Sequence, residues 1–371
     1  MKKRLPGFAT AEGTAKYAER AMSEKGIPEY HFRKFEKLTL SSLGIGTYLG
    51  SLERQVDEAM GGAIKESLRS GAIDVIDTAI NYRLQKSERC IARALSSLVE
   101  QNELAREEVF ISSKNGYLAP DADYKRGPAK YIPDELFANG VISTDDIVDS
   151  SHCMTVPFLK HELERSLRNL GIDTLDLLYL HNSAEAQIPA TGKEQYLENL
   201  GKAFRFYEGA RSEEKIRHYG MATWNCFRNE PEQTDHLDLE EVIAIAEEAG
   251  GVNHGFRFIQ FPYNLVMREA LVKKNQRLKG KLTTLLQVCE YYGIGVFTSV
   301  PLLQGRLARQ GALPNLDGLT SAQSSLQFAR STRGVIAPLV GHKDPRNVKE
   351  NIRLARERPL SAQDFASVFT S

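Results

Sequence analysis

Cysteine, tryptophan, excess charge and long apolar runs are all scarce in this chain of 371 residues. Its four cysteines, Cys90, Cys153, Cys226 and Cys289, are widely scattered and never take a Cys-x-x-Cys spacing. That argues against a disulfide framework and against structural zinc, and free thiols in a reducing, cytoplasmic setting are expected. The eight histidines form no ligand pattern either, and no metal is expected. Without an apolar run of about 18 residues, a membrane span is not expected. The opening Met1-Lys2-Lys3-Arg4 is followed by Leu5-Pro6-Gly7-Phe8-Ala9, which gives way at once to Thr10, Glu12 and Lys16. A signal peptide needs a longer apolar stretch there. Lys plus Arg equals Asp plus Glu, at 48 each, so nothing global points to nucleic acid or an anionic membrane surface. Composition leaves the oligomeric state open.

What is present is a repeating alternation of short apolar runs and amphipathic stretches. Strands are expected at 43–48, up to Asp77, up to about Ser113, and up to His181, then at 218–222, 258–261, 295–299 and 335–340. Between them, helices are expected at 55–70, 88–98, 157–170, 193–207, 239–249, 282–291 and 322–330, with a last one after Pro345. The strand cores are almost continuously apolar, as parallel strands buried on both faces require. Eight strands fit an open doubly wound sheet or a (β/α)8 TIM barrel. The barrel is favoured because chemistry-bearing residues follow many of the strands instead of gathering at one switch point.

Three pieces fall outside the repeat. Residues 1–40 are an extension with a helix expected over 10–25. Residues 41–355 form the barrel, and 356–371 a tail. Residues 117–150 carry Pro120, Gly127, Pro128, Pro133 and Gly140 and are expected to cover the barrel mouth. The basic stretch 273–281 reads as a solvated face.

Asp77, Tyr82, Lys114 and His181 lie at or just beyond the ends of three successive expected strands. A carboxylate, a phenol, an ammonium and an imidazole can together protonate a carbonyl oxygen. Any addition to a carbonyl carbon builds negative charge on that oxygen, so a proton donor must wait beside it. A tyrosine of ordinary pKa, about 10, donates poorly at neutral pH; a neighbouring ammonium is expected to lower that value. Lys114 is the candidate ammonium, Asp77 the carboxylate that positions it, and His181 the hydrogen-bonding partner of the carbonyl oxygen.

The segment Asp77-Thr78-Ala79-Ile80-Asn81-Tyr82 resembles the Asp-Thr-Ala-x-x-Tyr signature of the aldo-keto reductases. Phe110-Ile111-Ser112-Ser113-Lys114 is similar to that family's lysine segment, and Leu180-His181 to its histidine. The resemblance spans about residues 39–355. It implies a (β/α)8 barrel that reduces aldehydes and ketones with NADPH, less often NADH, without metal. It also implies cofactor roles. Gln260 would bind the nicotinamide amide. Pro301, Leu302 and Gly305 would wrap the pyrophosphate, and Gly46, Thr47, Tyr48 and Ser299 would lie near the cofactor. In the stretch Gly341-His342-Lys343-Asp344-Pro345-Arg346-Asn347, Lys343 would take the adenosine 2'-phosphate with Gly341 and Asn347 alongside. Glu350 and Asn351 would hold the adenine. A helix start is a suitable place for an anion in any case.

Two positions depart from the family pattern. Ala222 stands where many members have a serine that touches the carboxamide, leaving Thr223 and Asn225 as substitutes. Ser299 stands where an aromatic ring commonly stacks on the nicotinamide, with Phe297 expected deeper in the barrel. Gly44-Ile45-Gly46-Thr47-Tyr48-Leu49-Gly50 lacks the Gly-x-Gly-x-x-Gly spacing and is expected to be a turn at the mouth, not a phosphate loop. The resulting expectation is an NADP-dependent carbonyl reductase with Tyr82 as general acid, its substrate chosen by Tyr48, Trp224, Tyr117 and the insertion. The alternative is a nucleotide-binding regulatory or structural protein of the same fold with little turnover. Glycoside or phosphate-ester hydrolysis lacks the paired carboxylates or metal set it would need.

Overall fold

The computed structural model describes residues 4–309, 316 and 318–367. An antiparallel hairpin, β1 (Phe32–Phe35) and β2 (Leu38–Ser41), precedes the repeat. Then come β3 (Gly44–Gly46), β4 (Val75–Asp77), β5 (Phe110–Asn115), β6 (Leu175–His181), β7 (Ile216–Ala222) and β8 (Phe256–Pro262). A second hairpin, β9 (Gln276–Leu278) and β10 (Lys281–Thr283), is followed by β11 (Gly295–Ser299) and β12 (Val335–Gly341). Strands β3 to β8, β11 and β12 pair in parallel and close into a barrel, the (β/α)8 architecture.

Two apolar layers hold it. Val75, Phe110, Leu177, Phe258, Phe297 and Leu339 fill the barrel interior. The other strand faces pack outward on helices such as Arg54–Arg69, Lys86–Glu100 and Val156–Leu170. Phe297 lies in the inner layer, its ring stacked on Phe258 at 5.7 Å. Gly44 is a packing glycine, because a Cβ there would meet Leu339 at 2.7 Å.

The N-terminal extension closes the end of the barrel opposite the strand C-termini. Leu38 and Leu40 join the interior cluster, and Phe35 packs on Phe258 with ring centroids 4.7 Å apart. Helix Ala11–Lys25, capped by Thr10, lies outside; the Tyr17 hydroxyl is 2.9 and 2.7 Å from the carbonyls of Leu68 and Ile73. The hairpin β1–β2 was not among the expected strands.

Other boundaries differ for local reasons. Strand β5 continues through Lys114, which pairs with Tyr179, so the lysine lies inside the strand and not after it. The helix expected at 282–291 starts at Leu285, because Thr284 and Gln287 form a capping box behind β10. The basic stretch 273–281 is largely this hairpin, with Lys273 paired to Glu230 on the surface. A helix, Ser183–Thr191, follows β6 directly; its Pro189 reads as a break in the sequence. Part of the expected tail, 368–371, lies outside the described residues; Ala362–Ser367 is helical.

Candidate active site

The four candidate catalytic residues meet at the C-terminal mouth of the barrel. Lys114, fully buried on β5, donates from Nζ to Asp77 Oδ2 at 2.5 Å and to the Thr78 carbonyl at 2.8 Å. Its ammonium is 4.9 Å from the centroid of the Tyr82 ring. His181 ends β6 and meets the same ring edge-on at 5.9 Å, while Tyr48 meets it at 5.1 Å. Asp77 Oδ1 also accepts from Ser112 Oγ at 2.8 Å and from Gln260 Nε2 at 2.9 Å. One carboxylate therefore joins the lysine to the glutamine expected on the cofactor side.

Burial dominates the electrostatics here. It pushes the Tyr82 phenol well above its ordinary value, and the nearby Asp77 carboxylate adds to the rise. The lowering expected from Lys114, whose ammonium is shared with Asp77, is outweighed by burial and by the Asp77 carboxylate, so the net shift is upward. Burial lowers the Lys114 pKa, with Asp77 opposing. Burial, the charge of Lys114 and His152 hold His181 well below 6.5, as a neutral imidazole. The signs fix a pH dependence for any reaction using Tyr82 as acid. The phenol keeps its proton until the pH exceeds its raised pKa, and His181 gains one only far on the acid side. A kcat/KM profile for reduction is expected to be flat from about pH 6 to neutrality and to fall on the alkaline side where Lys114, its pKa lowered by burial, gives up its proton. An inflection near 6.5 would mean that His181 titrates normally and is not buried as described.

A pocket of 640 Å³ opens over this cluster. Gly46, Thr47, Tyr48 and Asp77 line one side, and Thr223, Gln260 and Ser299 another. Pro301, Leu302 and Gly305 continue the wall to Gly341, Lys343 and Asn347. The loop after β11 is unusual: Val300, Leu303, Gln304 and Gly305 all have positive φ, between 44° and 87°. For valine that conformation is an outlier, and such strain gathers at functional sites. A Cβ on Gly305 would touch nothing within 4 Å, so its backbone faces open space.

These residues fit a nicotinamide dinucleotide. The Thr223 hydroxyl is buried at the pocket wall close to the Cys226 thiol, the position in which it can replace the group that Ala222 lacks. Lys343 is exposed and makes no ion pair among the described residues. Arg346, by contrast, spends its charge on Asp344 at 2.8 Å. Glu350 and Asn351 are not brought to the pocket wall: Glu350 bonds Thr320, and buried Asn351 donates to His342 Nε2 at 3.2 Å.

Sequence reasoning missed Asn81 and Asn182, which also line the pocket. Each adjoins a candidate catalytic residue, Asn81 before Tyr82 and Asn182 after His181, and that adjacency was the available signal. Asn182 has φ 46° and bonds the Tyr117 hydroxyl at 3.4 Å. Of the insertion, Tyr117 alone reaches the pocket among the described residues. Most of the rest packs sideways, with Leu136 and Ile142 in the outer core and the Tyr131 hydroxyl on His161.

Residues 42–369 match the model of the Aldo/keto reductase family, and the chain belongs to that family. An uncharacterised oxidoreductase of Schizosaccharomyces pombe is 25% identical over 301 residues, 80% of this chain and 74% of that protein. An aldo/keto reductase of Klebsiella pneumoniae, solved in complex with NADP and acetate, superposes with a TM-score of 0.61 at 20% identity, covering 92% of this chain and 95% of that one. A second K. pneumoniae structure, an aldo-keto reductase in complex with NADPH, gives a TM-score of 0.59 at 21% identity, covering 90% and 92%. No helix among the described residues is long and apolar enough to cross a membrane.

Proposed function

We propose that the protein is an NADPH-dependent reductase that converts an aldehyde or ketone to an alcohol. The observation that carries this reading is the convergence of Tyr82, Asp77 and His181 on the wall of one pocket, with Lys114 buried beneath it against Asp77 and the Tyr82 ring. NADPH, when bound, supplies the hydride; the chain supplies the rest. Tyr82 gives its proton to the carbonyl oxygen as negative charge develops there and recovers one from solvent. The Lys114 ammonium steadies the transient phenolate, and neutral His181 orients the oxygen through its ring. Gln260 and Thr223 present an amide and a hydroxyl to the carboxamide, and Lys343 stands at the helix start where the 2'-phosphate would bind. The buried free thiols suit a reducing compartment such as the cytoplasm.

The substrate end of the pocket carries no positive charge among its described lining residues. His181 is neutral, and Lys343, beside Gly341, is the cation proposed for the cofactor phosphate. Tyr48 and Trp224 offer exposed flat surface instead. An uncharged carbonyl with an apolar or aromatic body is the substrate class proposed. The test is loss of reduced-nicotinamide absorbance with benzaldehyde beside succinic semialdehyde. Turnover of the neutral compound at tenfold or greater advantage, about 1.4 kcal/mol, is the expected result. Cofactor binding without turnover of any carbonyl would leave a nucleotide-binding protein. Lys343→Ala is expected to weaken NADPH about tenfold and NADH hardly at all, since one charge-assisted contact of about 1.5 kcal/mol would be lost. Equal losses for both cofactors, measured by fluorescence titration, would remove Lys343 from the phosphate site.

A further inference from the structure

The residues that follow Tyr82 take a conformation that L-amino acids avoid. Arg83, Leu84 and Gln85 have φ of 50°, 51° and 72°, three left-handed residues in succession and none of them glycine. In this region Cβ crowds the following carbonyl, and runs of such residues are rare. Something must hold the turn, and two sets of contacts do so.

The first set runs to the loop that bears Tyr48. The Arg83 side chain is 1% exposed and donates from Nε and Nη2 to the Ser51 carbonyl at 2.9 and 2.6 Å. Nη2 also reaches Asp57 Oδ1 at 2.5 Å. Lys86 bonds the Leu52 carbonyl at 2.7 Å, and Ser87 Oγ the Thr47 carbonyl at 2.8 Å. Gly50 lets the guanidinium lie against the backbone, since a Cβ there would be 3.1 Å from Arg83 Nε. The second set runs to the insertion behind Tyr117. Gln85 is fully buried and donates to the Ala119 carbonyl at 2.7 Å, while Ala122 N donates to the Leu84 carbonyl at 3.0 Å. Arg165 and Asn169 fix the Gln85 oxygen at 2.9 and 3.0 Å.

The two loops gripped by this turn carry the two aromatic walls of the site. Tyr48 meets the Tyr82 ring, and Tyr117 meets the His181 ring at 5.1 Å. A glycine at position 83 would take the same φ without steric cost. Arginine gains nothing there for the turn itself, and its oxygen partners all lie in the 51–57 segment. We infer that the left-handed turn Arg83–Gln85 is a positioning device that holds the Tyr48 and Tyr117 loops in register with Tyr82, with Arg83 setting the Tyr48 wall.

The kinetic part of the test rests on the carbonyl-reductase reading; the proteolytic part does not. Arg83→Gly removes the anchor and the strain together, whereas Arg83→Lys keeps the charge on Asp57 but loses the paired bonds to Ser51. Under native conditions chymotrypsin is expected to cut between Tyr48 and Leu52 about tenfold faster in Arg83→Gly than in the parent, with Arg83→Lys in between. In the same variant KM for benzaldehyde is expected to rise about tenfold with kcat within about threefold, and kcat/KM for propanal, too small to lean on Tyr48, to fall less than about twofold. Should Arg83→Gly fail to fold, Arg83→Lys supports the inference by faster cleavage of that loop than of the rest of the chain. Parental cleavage rates at 48–52 in the folded variants would overturn it. So would equal losses for both aldehydes through kcat alone. If the parent turns over no carbonyl, the reductase reading fails and the cleavage rates alone decide whether the turn is an anchor.

Discussion

Tyr82→Phe is expected to lower kcat for carbonyl reduction by about 10²–10⁴-fold, the usual worth of a positioned general acid, while leaving NADPH affinity unchanged. The ring stays in place because Tyr48 and His181 flank it by edge contacts that need no hydroxyl. What disappears is the proton that is to be transferred to the reacting oxygen. Burial raises the phenol's pKa, so at neutral pH the group is wholly in its donor form. Donation from such a weak acid is still downhill, since the alkoxide formed by hydride addition is far more basic than a phenolate. Single-turnover absorbance and a cofactor titration measure the two quantities separately. Wild-type kcat in the variant would leave Tyr82 as a wall of the pocket and nothing more.

Lys114→Met carries the second large effect, on stability as well as rate. The pair Lys114–Asp77 is buried, with side chains 0% and 5% exposed. Removing one partner of a buried pair costs about 3–5 kcal/mol, because the other charge is left uncompensated. Ser112 and Gln260 still donate to Asp77, which moderates the loss without cancelling it. Thermal or urea unfolding is expected to show this destabilisation, and turnover to fall at least about 10²-fold as the phenolate loses its cation. The double variant Asp77→Asn/Lys114→Met is expected to recover much of the stability and none of the activity. Non-additive recovery of this kind marks two groups that act on each other directly. Additive losses in unfolding would show that the ion pair contributes nothing as a pair. Full activity in Lys114→Met would remove the lysine from the chemistry.

Legibility in the sequence followed the range of the interactions. Barrel strands such as Val335–Gly341 were readable because a strand buried on both faces is almost continuously apolar. Tyr82, Lys114 and His181 could be picked out because chemistry-bearing groups stood at the ends of such runs. The hairpin β1–β2 gave a weaker signal: Phe32–Phe35 is half polar, and what decides its place is the barrel end it covers. The pocket edge showed the same limit. Lys343 and Glu350 are neighbours in one motif, yet only the first lines the pocket, because Thr320 from another loop takes the second.

The chain of residues by itself determined the alternation of strands and helices and the order in which a carboxylate, a phenol, an ammonium and an imidazole reach the strand ends. Those follow from periodicity and side-chain chemistry, which act over a few positions. The folded structure alone decided the direction of the Tyr82 pKa, the commitment of Lys114 to Asp77 and the left-handed turn at Arg83–Gln85. Burial and backbone strain depend on what distant segments press against a group, and no local reading of residues contains that.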